Sequence, residues 1–203
     1  MFMALRATSR TILHYLDSQF KADALLDSHF NGGGMVVSLN TPQEMAAKPA
    51  EGISVWLYRV IRDDQRLNDP PVRLSATELQ PSPLPLRLHY LMTPVTNKIS
   101  GDPETKQLML GKVLQLFHSH STLRGTDLQA EFIGTDVEVK IRLEPMNLEE
   151  ITRVWEALAE SYQLSVSYEV SVVNIASAME PESVSPVQVV LPEYGVIVSA
   201  VSP

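Results

Sequence analysis

His118-Ser119-His120 is the one close pair of imidazoles in the chain, and two histidines two residues apart can share a metal ion when they lie on a strand. They fall instead where a helical pattern ends, a place that suits positive side chains through the helix dipole, and no third ligand is clustered with them. Ser9, Ser119 and Ser121 lack the strand-turn-helix setting of a nucleophile elbow, so no hydrolase triad is read. Glu149-Glu150 and Asp63-Asp64 are adjacent carboxylates, which serve more simply as a helix start and a solvated loop than as an acid-base pair. Asn31-Gly32-Gly33-Gly34 has the glycines of a phosphate cradle but neither the Lys-Ser/Thr ending nor a helix after it. Trp56 and Trp155 stand in apolar periodic segments without a basic groove, as core or interface anchors rather than a base-stacking platform. No catalytic residue, metal or cofactor is expected, and the chain is not read as an enzyme.

Composition narrows the rest. With 203 residues, 44% of them hydrophobic, the chain is long enough to bury a real core. A net charge of -8 without a Lys/Arg cluster argues against nucleic acid, whose binding rests on basic groups that release counterions. No apolar run reaches the roughly 20 residues that span a bilayer, and Arg6, Arg10 and His14 break up the beginning, so neither membrane anchor nor signal peptide is read. Zero cysteines remove disulfides and thiolate metal sites, and synthesis and assembly are expected in a cytoplasm.

The elements that would position any site follow from periodicity. Leu5, Ile12, Leu16 and Phe20 space a helix over Ala4 to Ser28, ended by Asn31 to Gly34, and Met35 to Leu39 reads as a short buried strand. Thr41 to Glu51 reads as loop. Ile53 to Ile61 is apolar on both alternating sets, as in a strand covered on both faces. Asp63 to Pro85 carries Pro70, Pro71, Pro81, Pro83 and Pro85, which argue for a long exposed loop without regular pairing. Leu86 to Val95 is a strand, and Pro103 to His118 a helix opened by proline. Val137, Val139, Ile141 and Leu143 alternate as a strand with one wet face. Asn147 and Glu150 form a capping box for a three-turn helix through Ala159, and Leu164 to Val172 alternates strictly as a strand. Four strand patterns and separate helices, without regular beta-alpha-beta alternation, give an α+β fold: a mainly antiparallel or mixed sheet packed by two or three helices. Residues 1–176 form that domain. Residues 177–203, with Pro181, Pro186, Pro192 and Pro203, no Lys or Arg, and the apolar runs Val187 to Leu191 and Val196 to Val201, form an extended carboxy-terminal arm.

One ordered set of segments adds more. Trp56-Leu57-Tyr58-Arg59-Val60, the loop with Arg66 and Asn68, Leu88-His89-Tyr90-Leu91, the Leu110-Gly111 helix, Leu143-Glu144-Pro145-Met146-Asn147-Leu148-Glu149-Glu150 running to Trp155, and Tyr162 to Val173 follow one another across Ala4 to Ala176. This order resembles the cap, or tail-terminator, proteins of phage-tail-like contractile injection systems, the family built on the amino-terminal domain of those caps. The resemblance implies a structural homo-oligomer, usually a hexameric ring. It would sit on the distal end of the inner tube and sheath, end polymerisation and hold the sheath extended, within a particle that can be released extracellularly. Many caps of this family carry a larger additional carboxy-terminal domain. In such a ring Arg62, Arg66 and Arg73 would offer planar donors to carboxylates of an acidic neighbour. Val187, Val189 and Leu191, then Val196 and Val198, would add strands to an open sheet edge of an adjacent cap or terminal sheath subunit. The alternative is a protein- or small-molecule-binding module outside any tail particle, with a metal-dependent hydrolase on His118 and His120 as the most distant reading.

Overall fold

A computed structural model describes residues 2–67, 69–96 and 102–185. The strands are β1 (Val36–Ser38), β2 (Gly52–Arg62), β3 (Val72–Arg73), β4 (Glu78–Gln80), β5 (Leu84–Val95), β6 (Thr122–Leu123), β7 (Val139–Glu144), β8 (Val166–Ile175) and β9 (Glu182–Ser183). The α-helices are α1 (Ala4–Lys21), α2 (Pro42–Ala47), α3 (Pro103–Ser119) and α4 (Leu148–Ala157).

The chain falls into two units. The larger takes Met1–Asn68 with Pro83–Ala176 and holds a six-stranded sheet in the order β1-β2-β5-β8-β7-β6. Every pair in it is antiparallel except β1 with β2, so the sheet is mixed. The parallel pair needs a glycine at its first rung: Gly52 has φ +130 and lies opposite Val36, whose backbone a β-carbon at position 52 would strike.

Side chains alternate between two faces of this sheet. Leu88, Tyr90 and Met92 of β5 join Ile53 and Val55 of β2 and Tyr168 and Val170 of β8 on one face, all buried against α1 and α3. α1 contributes Ile12, Leu16 and Phe20, and its buried Ser9 hydroxyl meets the Tyr90 hydroxyl at 2.8 Å, so two polar atoms in this layer satisfy each other. α3 contributes Met109, Val113 and Phe117, the last edge-on to Tyr168 with ring centroids 5.1 Å apart. The opposite face carries α4, where Leu91, Ile151 and Trp155 form a second, smaller apolar cluster with Trp56, Tyr58 and Met146 at its margin.

α4 starts where the sequence indicates, with Asn147 and Glu150 completing a reciprocal cap. Several local expectations are corrected. α1 stops at Lys21 rather than Ser28, and a π-helical turn at Ser28–Gly32 precedes β1. The Thr41–Glu51 stretch is not all loop: Thr41 accepts from Glu44 N–H, Glu44 returns the bond, and Pro42 opens α2. β7 and β8 start at Val139 and Val166, leaving Val137 and Leu164 outside, and β8 runs on to Ile175.

The smaller unit combines Asp69–Ser82 with, among the described residues, Ser177 to Ser185. β3 and β4 pair antiparallel here, and β9 joins the other side of β4, which corrects the expectation that the proline-rich stretch lacks regular pairing. Pro70, Pro71, Pro81 and Pro83 all lie outside those rungs, so none removes a donor from them.

Candidate functional site

Arg62 is the last residue of β2, exposed, with its Nε 2.9 Å from the Asp64 carboxylate. Arg66 ends the short 3-10 turn Asp64–Arg66 and donates its N–H to the Asp63 carbonyl at 3.2 Å. The fold thus brings Arg62 and Arg66 to one corner of the larger unit, beside exposed Arg59. Arg73 belongs to the smaller unit, on β3, and donates to the Ala76 carbonyl at 3.4 Å. Val187, Val189, Leu191, Val196 and Val198 lie outside the described residues.

Asp63 fixes this corner, and it is not the solvated loop acid that its sequence suggests. It is 4% exposed and accepts from Gln65 N–H at 3.2 Å and from Arg87 Nη2 at 3.0 Å. The hydrogen bond from Arg87 holds the Asp63 carboxyl below the usual carboxylate range against the opposing effect of burial. Arg87 also reaches Gln65 Oε1 at 3.2 Å and Glu169 at 3.5 Å, and Glu169 takes Arg142 at 3.0 Å on its other oxygen. A ladder of charge therefore runs from Asp63, just past the end of β2, across β5, β8 and β7.

Next to it lies a group that sequence reasoning did not find. One oxygen of Glu144 accepts from the Ser167 hydroxyl at 2.6 Å and from the Tyr58 hydroxyl at 3.2 Å, and stands 3.0 Å from His89 Nδ1. Burial pushes the Glu144 carboxyl up, but the bonds from Ser167, His89 and Tyr58 outweigh it and leave the acid below its ordinary value. Tyr58 moves the other way, raised chiefly by burial. The four residues come from four strands; His89 and Ser167 were legible only as polar positions of an alternation, and Tyr58 only as part of an apolar strand. Their geometry is that of a shared acceptor: the serine and the imidazole both address the carboxylate, so no imidazole stands between acid and hydroxyl as a base would.

The remaining candidates separate. His120 Nε2 lies 3.2 Å from Asp127, with its ring stacked on Tyr15, whereas His118 is exposed in the last turn of α3. Among the described residues no three His, Cys, Asp or Glu side chains gather as metal ligands would. Ser9 is occupied by Tyr90, Glu149 pairs with Arg153 at 2.6 Å and Glu150 caps α4. Trp155 donates its indole N–H to Ser165 at 3.1 Å from within the apolar cluster under α4. No helix of the described residues is long and apolar enough to cross a membrane.

The model of the Pvc16 N-terminal domain family matches residues 7–189. The chain belongs to this family. The Pvc16-type fold recurs in the sheath/tube terminator, in its extended state, of the extracellular contractile injection system called PVC. That structure has TM-score 0.56 and 20% identity over 91% of this chain and 64% of the terminator. It recurs again in the tube-terminating cap of the anti-feeding prophage, with TM-score 0.53 and 22% identity over 78% of this chain and 53% of the cap. The chain thus spans less than two thirds of either protein. Among curated proteins none matches it. The cap-family resemblance of the sequence and the α+β, mixed-sheet expectation both hold.

Proposed function

We propose that this chain is a structural cap, a tail terminator of a contractile injection system. It forms a ring on the distal end of the inner tube and sheath, ends polymerisation there and stabilises the extended sheath. The observation that carries this reading is family membership over residues 7–189, together with a fold shared with two terminators. The site agrees in kind, because Ser167, Tyr58 and His89 converge on one oxygen of Glu144 and Arg87 holds Asp63, with no hydroxyl set against a base. We assign the chain no catalytic role.

The ring is a homo-oligomer, hexameric by the symmetry usual for such tails, and its partners are terminal sheath and tube subunits. Arg62, Arg66 and Arg73 present guanidinium groups to acidic neighbours, and residues 177–203 act as the carboxy-terminal arm that ties neighbours together. Synthesis and assembly take place in the cytoplasm, and the chain leaves as part of the finished particle. The test is removal of this chain from a producing cell, followed by electron microscopy of the purified particles. Tails of uncontrolled length or sheaths contracted early are expected; particles of normal, uniform length would overturn the reading.

A further inference from the structure

β2 is longer than the partner on its outer side. β1 pairs only with Gly52 to Ser54, whereas β5 accompanies β2 to the Arg62↔Leu86 rung. From Val55 to Arg62 the described residues supply no ladder partner on the outer edge. Two backbone bonds fix which groups that edge presents. Val36 N–H donates to the Glu51 carbonyl at 2.9 Å, so Glu51 faces outward, and in phase with it Ile53, Val55 and Leu57. Asp63 N–H donates to the Pro85 carbonyl at 2.9 Å, so Asp63, Ile61 and Arg59 face β5, while Val60 and Arg62 turn their N–H and C=O groups outward. The bulge between Leu57 and Arg59 absorbs the change of phase.

The side chains along this edge differ by face. Leu57 and Val60 stand opposite Tyr90 and Leu88 of β5, on the α1 and α3 side, and Val60 is 44% exposed. Arg59 stands opposite His89, on the α4 side; it is exposed, and no carboxylate pairs with it among the described residues. Unpaired backbone groups beside an exposed valine are a template for a further strand, and charge decides which strand. A second copy of the same edge would set Arg59 and Arg62 against their own like, which costs free energy. A strand that alternates apolar and acidic residues fits both faces: its apolar residues lie along Leu57 and Val60, and its carboxylates meet Arg59.

We propose that the outer edge of β2, from Val55 to Arg62, takes an added strand of alternating apolar and acidic residues from a different protein. The added backbone meets the outward groups of Val55, Leu57, Val60 and Arg62. The assignment goes beyond the cap reading and does not depend on it.

The test uses the whole chain, labelled with 15N, and two blocked peptides of about eight residues, one alternating valine with glutamate and the other valine with lysine. Amide exchange, read residue by residue by NMR, should slow by about tenfold or more at Leu57, Val60 and Arg62 with the glutamate peptide and stay unchanged with the lysine peptide. Arg59→Glu should abolish the protection, and Arg59→Lys should keep it. Val60→Pro should abolish it at Leu57 and Arg62, because β5 does not use the Val60 N–H and proline removes only an outward donor. Unchanged exchange in β5 checks that this variant stays folded. Three results would each overturn the assignment: no slowing at these amides with the glutamate peptide at millimolar concentration, equal slowing by both peptides, or protection that appears without peptide as the chain is concentrated, the mark of a second copy on the edge. None of them touches the cap reading, which is decided by the length of particles made without the chain.

Discussion

The two faces of the large sheet are built from the same strands and hold the molecule together in different ways. Under α1 and α3, Leu88, Tyr90 and Met92 lie in a continuous apolar layer. On the α4 side, the alternate positions of β5 are Arg87, His89 and Leu91, and only Leu91 belongs to an apolar cluster. Apolar burial is indifferent to direction, so the first face contributes stability broadly. Charged and polar pairs demand particular partners, so the second face fixes which strand lies beside which: Asp63 to Arg87, Arg87 to Glu169, Glu169 to Arg142, and Glu144 to Ser167 and His89. The first face carries more of the apolar burial; the second adds directional pairs between named strands.

Leu88 and Leu91 lie on the same strand, both fully buried, one on each face. Leu88→Ala should cost about 3–5 kcal/mol in the continuous layer and lower the whole denaturation curve. Leu91→Ala should cost less, about 2–3 kcal/mol, with faster amide exchange concentrated in α4. Equal losses with uniform exchange would erase the distinction between the faces.

Glu144→Ala should cost about 1–3 kcal/mol, because it strips the shared acceptor from Ser167, Tyr58 and His89. The same acid gives the polar face a pH signature. Glu144 and Asp63 hold protons less tightly when folded than when unfolded, so their contribution is complete above the ordinary carboxylate range and is lost as pH falls through their lowered values. Wild type should lose stability on acidification below about pH 4, and Glu144→Ala should lose less, as read by denaturant midpoints across pH. Parallel pH curves for the two proteins would count against this. A smaller effect is expected at the end of α4, where Asn147→Ala should cost about 1 kcal/mol and fray only that helix.

The same contrast explains what could be read from the sequence. Layers made by periodic apolar residues were legible, so α1, α3, α4, β2, β5, β7 and β8 stand close to their expected places. α2 was missed although Thr41-Pro42-Gln43-Glu44 carries the same signal as Asn147 to Glu150, because six residues give too little periodicity to draw attention to a cap. β3, β4 and β9 are two- or three-residue strands, too short to show alternation, and β9 pairs with a strand about a hundred residues earlier in the chain. The Glu144 group joins Tyr58, His89 and Ser167 across four strands, and nothing local to any of them announces the other three. Asp63 looked like a loop acid because Arg87, which buries it, lies 24 residues away.

The most direct measurement locates this chain in an assembled particle, by cryo-electron microscopy of particles in which it carries a bulky tag. A single ring of extra density on the last layer of tube and sheath, at the end opposite the baseplate, is the predicted result. Density distributed along the tail, at the baseplate, or on no tail particle would contradict the assignment as a cap.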